Sequence, residues 1–412
     1  MRNGYEDMVL KHWRVLMAIG VLFAAQVHAE AQVRYGADLL LSDSLHLIEG
    51  RRVGLLANHT SRLSNGVLLF DTLRALPGVT LTAVFSPEHG FRGTAADGVH
   101  VGSGRVAGIP LHSLYGETRR PAPDMLADID VLILDLQDVG ARYYTYLTTM
   151  ALCLEAATDA GLPVIVCDRP NPVGGVLVEG PIRDEDMQSF VAFLPIPVRH
   201  GLTVGEVLTM ALGEDMLAVS KEPRLTVVPA SGWRRGMLWD DTGLVWINPS
   251  PNMRSPDAAL AYPGTCLLEG TNLNEGRGTE APFLQFGAPF IDGEILAGAL
   301  NARGLPGVRF HPTRYIPAAQ PGAPHPRFRG ERIEGIRLEI IDRRAFQSVR
   351  TGLEILFELR GRYGAFISHT SYLYRLFGVP DFLDGSLSAI VERCNEDVRS
   401  FLTRRTDYLL YP

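Results

Sequence analysis

Four short apolar runs in the first half of the chain, divided by stretches of helical spacing, restrict the folds open to it. Arg52–Ala57, Leu81–Phe85, Val131–Leu134 and Val164–Cys167 are dominated by Val, Leu, Ile and Ala and are too short to be helices, so they read as buried strands. Leu68–Leu76 and Tyr144–Ala160 read as helices between them. The second stops at Gly161, which accepts the left-handed backbone of a helix C-terminus. Strands that alternate with helices imply an α/β fold with a parallel sheet covered on both faces. No G-x-G-x-x-G turn follows a strand. Gly102-Ser103-Gly104-Arg105 lacks the preceding strand and the spacing, and reads as a flexible loop, so neither NAD nor ATP is expected.

The second half has a different texture. Asn248–Pro289 is rich in Gly, Pro and Asn and reads as ordered loop. A helix at Gly293–Ala302, a strand at Gly335–Ile341 and helices at Thr351–Arg362 and Ser386–Arg404 come after it, with a surface loop at Pro317–Pro326. A boundary near Ser255 divides a domain of residues 36–255 from one of 256–412.

Before both lies a leader pattern. Lys11 and Arg14 precede the apolar run Val15–Ala25, and Val27-His28-Ala29 offers a signal peptidase its small residues. The run is shorter than the ~20 residues of a membrane span. The expectation is a signal peptide, residues 1–29, and an exported protein, periplasmic or extracellular, without stable membrane insertion after cleavage. Lys plus Arg number 39 against 46 Asp plus Glu, and no basic block appears, so nucleic acid is not an expected partner. Cys153, Cys167, Cys266 and Cys394 form no C-x-x-C pair, which speaks against a zinc or redox motif, and the apolar setting of Cys153 and Cys167 suits small core residues.

The residues just past each strand carry the chemistry. The four runs end at Asn58-His59-Thr60, Ser86-Pro87-Glu88-His89-Gly90, Asp135-Leu136-Gln137-Asp138 and Asp168-Arg169-Pro170-Asn171-Pro172. In an open parallel sheet all carboxyl ends lie on one edge, where ligands bind. Four strands therefore deliver polar groups, carboxylates in three cases, to one place. No G-x-S-x-G elbow or H-E-x-x-H helix is present, which leaves carboxylate chemistry or an irregular metal site.

These segments resemble a known family, the exo-β-N-acetylmuramidases called NamZ. The resemblance rests on Ser86–Gly93, Ser113–Gly116, Gln137–Tyr146, Asp168–Pro172, Arg199–Glu206, Ser250–Met253, Leu268–Asn272 and Glu275–Thr279, and runs from about Gly36 to Tyr411. One departure is Asn274, where the resemblance leads to a serine. The resemblance implies a Rossmann-like N-terminal domain, a smaller α+β C-terminal domain and an active-site cleft between them. It also implies release of N-acetylmuramic acid from the non-reducing ends of cell-wall sugars. No cofactor or metal is expected.

Glycoside cleavage requires a proton donor and a second group on the other face of the ring. Glu88, behind an apolar strand and in a tight turn, is the first candidate for the donor; its structural alternative is to cap a following helix. Glu275 and Asp168 are the candidates for the second group, with Asp138, Glu269 and Glu179 behind them. The substrate's own acetamido group is a further alternative. The lactyl carboxylate of muramic acid calls for a fixed cation, and Arg142, Arg169 and Arg277 have the planar fork that suits it. Asp168 pairing with Arg169 or Arg142, and Glu275 with Arg277, are the structural alternatives. Tyr144, with Tyr143 and Tyr146, offers a flat face to a sugar or is simply half-buried at a helix start. Asn58, His89, Asn171, His200, Asn252 and Asn272 complete the candidate binding set. Two other functions remain open on the residues alone. One is a metal-dependent cell-wall amidase or deacetylase using His59, His89, His200, Asp135, Asp138 and Asp168; the other is a non-catalytic protein that binds muropeptides.

Overall fold

The computed structural model describes residues 33–412 other than Asp97 and His369. The leader, residues 1–29, lies outside the described residues. The apolar runs become β1 (Arg52–Ala57), β2 (Thr80–Ser86), β5 (Val131–Asp135) and β6 (Val164–Cys167). With β3 (Gly104–Val106), β4 (Ile109–Ser113) and β7 (Leu225–Val228) they form one seven-stranded sheet in the order β3-β4-β2-β1-β5-β6-β7. Every pair is parallel except the edge hairpin β3–β4. Leaving out β3, this is the Rossmann strand order, whose direction of winding reverses at β1. Gly104 and Arg105, expected within a flexible loop at residues 102–105, thus belong to an edge strand. Its pairing with β4 is made by backbone alone, so no side-chain alternation announces it.

Alternate residues of the central strands face opposite ways and both sets are buried, as a sheet covered on two sides requires. Val53, Leu55, Val84, Ile133 and Ile165 pack with α1 (Gly36–Ser42) and α2 (Leu69–Ala75). Leu56, Phe85, Leu132, Leu134 and Val166 pack with α3 (Thr145–Ala160) and α4 (Val204–Gly213). The α3 helix ends as expected at Gly161, whose φ is 76°.

The segment 248–289, expected as loop, contains α5 (Pro256–Thr265), a 3-10 turn at Cys266–Gly270 and β8 (Gln285–Ala288). Ser255 accepts a hydrogen bond from Ala258 N at 3.1 Å and Pro256 opens the helix, a standard start signal. The internal Pro263 and the following Gly264 mask it in the sequence. Gly264 is needed there: a Cβ on it would lie 1.8 Å from the carbonyl oxygen of Ser348, at the start of α7 (Ser348–Arg362).

A second, antiparallel sheet, β8-β10-β9, is formed with β9 (Val308–Tyr315) and β10 (Ile333–Ile340). Beside it stand α6 (Gly293–Asn301), α7, α8 (Thr370–Phe377) and α9 (Leu387–Arg405). The apolar core under α3 continues without a break into Phe286, Ile336, Leu353 and Phe377. The two sheets therefore share one core on that side. After α9 the chain returns to the first sheet, where Tyr411 packs with Val33 and Trp233. All four cysteines are buried and free. Among the described residues no helix is long and apolar enough to cross a membrane.

Candidate active site

Beyond β2 the backbone turns sharply. His89 and Gly90 both adopt positive φ, 67° and 72°, and Gly90 N donates to Pro87 O at 3.0 Å. A non-glycine residue in the left-handed region is uncommon and marks a constrained turn. The turn aims Glu88 out of the sheet edge. No helix follows it, so Glu88 does not serve as a cap. Glu88 is only 8% exposed, and both its oxygens are held. Thr145 Oγ1, at the start of α3, donates to Oε2 at 2.7 Å, and Gly98 N donates to Oε1 at 3.0 Å. A hydroxyl is a suitable partner for a group that exchanges a proton, because it donates to a carboxylate and accepts from a carboxylic acid.

Glu88 opens into a cleft of about 570 Å³ whose walls come from both halves of the chain. His89, Tyr144, Thr145 and Ser250 line it from the first, Tyr262, Glu269, Arg277 and Tyr372 from the second. Glu269 is the carboxylate that the second half of the chain contributes to this cleft. Arg277 Nη1 bridges it at 2.7 Å to Glu275 at 2.6 Å, and Tyr372 Oη donates to it at 3.3 Å. The Arg277 guanidinium also lies over the Phe283 ring at 4.9 Å, which fixes its plane. Asn274, the departure from the expected serine, shapes this loop. Its amide donates to the carbonyls of Arg277 and Arg327, and its oxygen accepts from Gly276 N. A serine hydroxyl has one hydrogen to donate where the amide has two.

Several candidates lie elsewhere. Asp168 is wholly buried, accepting from Thr203 Oγ1 and Tyr411 Oη, both at 2.6 Å, and from Gly205 N at 2.9 Å. It joins β6 to α4 and to the chain end and does not reach the cleft. It pairs with neither Arg169 nor Arg142. Arg169 instead pairs with Asp135 at 2.5 Å, under the Tyr35 ring. Arg142 donates to the carbonyls of Pro181, Ile196, Leu376 and Phe377, and burial lowers its pKa to about 10. Neither arginine is open to an anionic ligand. Asn58 donates to Tyr146 Oη at 3.0 Å, and Asn171 to Leu202 O at 2.9 Å. Asn252 donates to Gly322 O at 2.8 Å, and Asn272 to Ala365 O at 2.9 Å, so these asparagines hold loops together. His200 is buried and pushed down to about 3, hence neutral, with Nδ1 accepting from Leu202 N. Glu179 pairs with Arg199 at 3.0 Å and caps the start of α7 through Ser348 N. Asp138 sits behind the strand ends, where Oδ1 accepts from Gly140 N at 2.8 Å. Among the described residues no three His, Cys, Asp or Glu side chains gather as metal ligands would.

The cleft also holds residues that the sequence did not single out. Arg119 stacks over Phe190 at 4.3 Å on one wall, and Arg375, one helical turn after Tyr372 on α8, lines the other. Both are exposed, and neither pairs with a carboxylate among the described residues. Thr145 lies inside the Gln137–Tyr146 motif, but no role is read for it there, because a threonine at a helix start most often bonds its own backbone.

Two family models match the chain: exo-beta-N-acetylmuramidase NamZ, N-terminal, over residues 53–257, and NamZ, C-terminal, over 260–411. A relative, the peptidoglycan beta-N-acetylmuramidase NamZ of Bacillus subtilis (strain 168), is 41% identical over 362 residues, or 84% of each chain. Two crystal structures of DUF1343 family proteins from Bacteroides fragilis superpose with TM-scores of 0.85 and 0.76. They are 34% and 29% identical, and each alignment covers 92% of this chain and 99% of the other.

Burial raises the Asp138 carboxyl to about 7, and its Oδ2 has no hydrogen-bond partner among the described residues. The folded state therefore holds this proton more tightly than the unfolded state, whose carboxyl titrates near ~3.9. The stability that proton confers is complete below about pH 4 and is lost as pH rises through 7. Asp138→Asn keeps the bond to Gly140 but cannot titrate. Between pH 4.5 and 7.5 its Tm should fall less than that of the wild type, by about 2 °C or more. Identical falls in differential scanning calorimetry would show that Asp138 does not titrate in this range.

Proposed function

The chain belongs to the exo-beta-N-acetylmuramidase NamZ family over both of its domains, and from that premise we propose how its cleft cuts the substrate. The protein is a glycoside hydrolase that releases N-acetylmuramic acid from the non-reducing ends of peptidoglycan fragments. The observation that carries the mechanism is Glu88, held by Thr145 and Gly98 in a cleft that Glu269 also lines from the second half of the chain.

Glu88 is the general acid. Its proton passes to the glycosidic oxygen as the bond from that oxygen to C1 of the muramic acid breaks; a water then adds its hydroxyl to C1, and the proton that water gives up restores the Glu88 carboxyl. Glu269, anchored by Arg277, is the anionic group that the developing positive charge of the ring faces. Glu275 acts through Arg277. The tyrosine hydroxyls of Tyr143, Tyr144 and Tyr262 are all held well above their ordinary pKa by burial, so they stay protonated in the wall around the sugar. Arg119 and Arg375, rather than Arg142 and Arg169, are the cations open to the lactyl carboxylate.

Export to the periplasm or beyond is part of this reading. It is supported by the Lys11–Ala29 leader pattern and by a substrate of the cell wall. N-terminal sequencing of the exported protein should begin at Glu30, and a mature chain that keeps Met1 would remove the leader assignment.

A general acid matters most when the leaving group is poor. Glu88→Gln should fold normally and lose about 10³-fold or more in kcat on a muramic acid–glucosamine disaccharide. On a para-nitrophenyl muraminide, whose leaving group needs little protonation, the loss should be smaller. Equal losses on both substrates would argue against the acid role. Replacing Arg375 or Arg119 with Met should shrink the preference for muraminide over glucosaminide by about tenfold, the value of one charge-assisted hydrogen bond. An unchanged ratio of the two kcat/KM values would release that arginine from the role.

A further inference from the structure

The cleft does not end at Arg277. On its other side lies a second basin of about 600 Å³, lined by Val99 and Ala96 on one wall and by Glu275, Pro324, His325 and Arg327 on the other. The two basins share Glu269, Arg277 and Tyr372. The opposite wall, the loop after Glu88, also faces both: Gly98 lines the first basin, while Ala96 and Val99 line the second. Gly98 N is the group that holds Glu88 Oε1, at 3.0 Å. The Glu88 carboxyl is therefore tied to the strip of backbone that divides the basins.

A general acid must reach the oxygen joining two sugars, so one sugar lies on each side of it. We infer that the second basin is the aglycone site, which receives the N-acetylated amino sugar on the reducing side of the scissile bond. This inference rests on the muramidase reading. Charge assigns the two sides. The first basin holds Arg119 and Arg375, cations open to the carboxylate of muramic acid. The second sets two carboxylates, Glu269 and Glu275, against two arginines, Arg277 and Arg327, and Arg277 is bridged to both carboxylates, so its charge is balanced, which suits a sugar without a carboxylate. The volume lies within the range of small-ligand sites. Pro324 and His325 at the rim are exposed, so a longer glycan has a way out of the basin. The scissile bond then crosses the ridge between Gly98 and Arg277, within reach of Glu88.

Filling the basin tests this. Val99 is 46% exposed, and Pro324 is exposed on the facing wall, so a Trp at either place has room without entering the core. Val99→Trp and Pro324→Trp, each made in the full chain, are compared on a muramic acid–glucosamine disaccharide and on β-N-acetylmuraminyl fluoride. The fluoride's leaving group is a single atom and needs no basin. The expected result is that kcat/KM for the disaccharide falls at least tenfold relative to that for the fluoride in both variants. Inhibition by free N-acetylglucosamine should weaken in parallel. Losses that are equal on the two substrates, or a disaccharide rate that does not fall in either variant, would overturn the aglycone assignment. A folded wild-type enzyme that hydrolyses neither substrate would instead remove the muramidase reading on which it rests.

Discussion

The buried guanidinium of Arg142 is the contact on which the geometry of the cleft depends. It is 1% exposed and donates to four backbone carbonyls. Two of them, Pro181 and Ile196, belong to the first half of the chain, and two, Leu376 and Phe377, end the helix α8 of the second. A buried charge is costly unless its donors are satisfied; these four carbonyls serve the two Nη groups, and Nε has no partner among the described residues, so the carbonyls must stay where they are. Space around the group is equally constrained: a Cβ on Gly378 would lie 2.7 Å from Arg142 Nη2, and φ there is 79°. Two residues after Arg142 the chain becomes the Tyr144–Thr145 wall beside Glu88. In the turn that leads to Leu376, α8 presents Tyr372 and Arg375 to the same cleft. The arginine thus registers the two walls against each other from behind, and Tyr143 Oη, bonded to Tyr262 O at 3.1 Å, reinforces it.

The carboxylates at the sheet edge divide by depth. Asp135 and Asp168 are completely buried, and each is surrounded by donors: Arg169 for the first, Thr203, Gly205 and Tyr411 for the second. A carboxyl at that depth is part of the scaffold, since its hydrogen-bonding capacity is taken and no ligand reaches it. Glu88 differs because it stands two residues past its strand, on a left-handed turn that carries it over the edge. Its partners, a hydroxyl and a single amide, leave the carboxyl facing the cleft.

The architecture was legible in the sequence wherever burial imposes a pattern. β1 and β6 have the bounds that their apolar runs imply, and Gly161 ends α3. It was hidden where backbone makes the structure, as in the edge strand at Gly104–Val106, or where one residue type carries two meanings. Pro263 and Gly264 look like loop residues, yet Gly264 lies inside α5 because only a glycine allows α7 to approach so closely. The site was half legible. Glu88, His89, Tyr144, Glu269 and Arg277 come together, and their motifs stand out along the chain. Arg119 and Arg375 did not, and Thr145 stood in a motif without a role, because an exposed arginine or a helical threonine has no function to read until its neighbours are known.

By itself the sequence determined the layered α/β fold and the delivery of polar residues to one sheet edge, since hydrophobic periodicity and strand polarity are local properties of a chain. The same local reading determined Glu88 as the first residue to examine. Only the tertiary structure decided which of those polar groups face solvent. Arg142 and Arg169 are as suitable for a carboxylate as Arg119 and Arg375 when read as letters. What separates them is which carbonyls and carboxylates the rest of the fold sets around each guanidinium, and those partners come from as far as 235 residues along the chain.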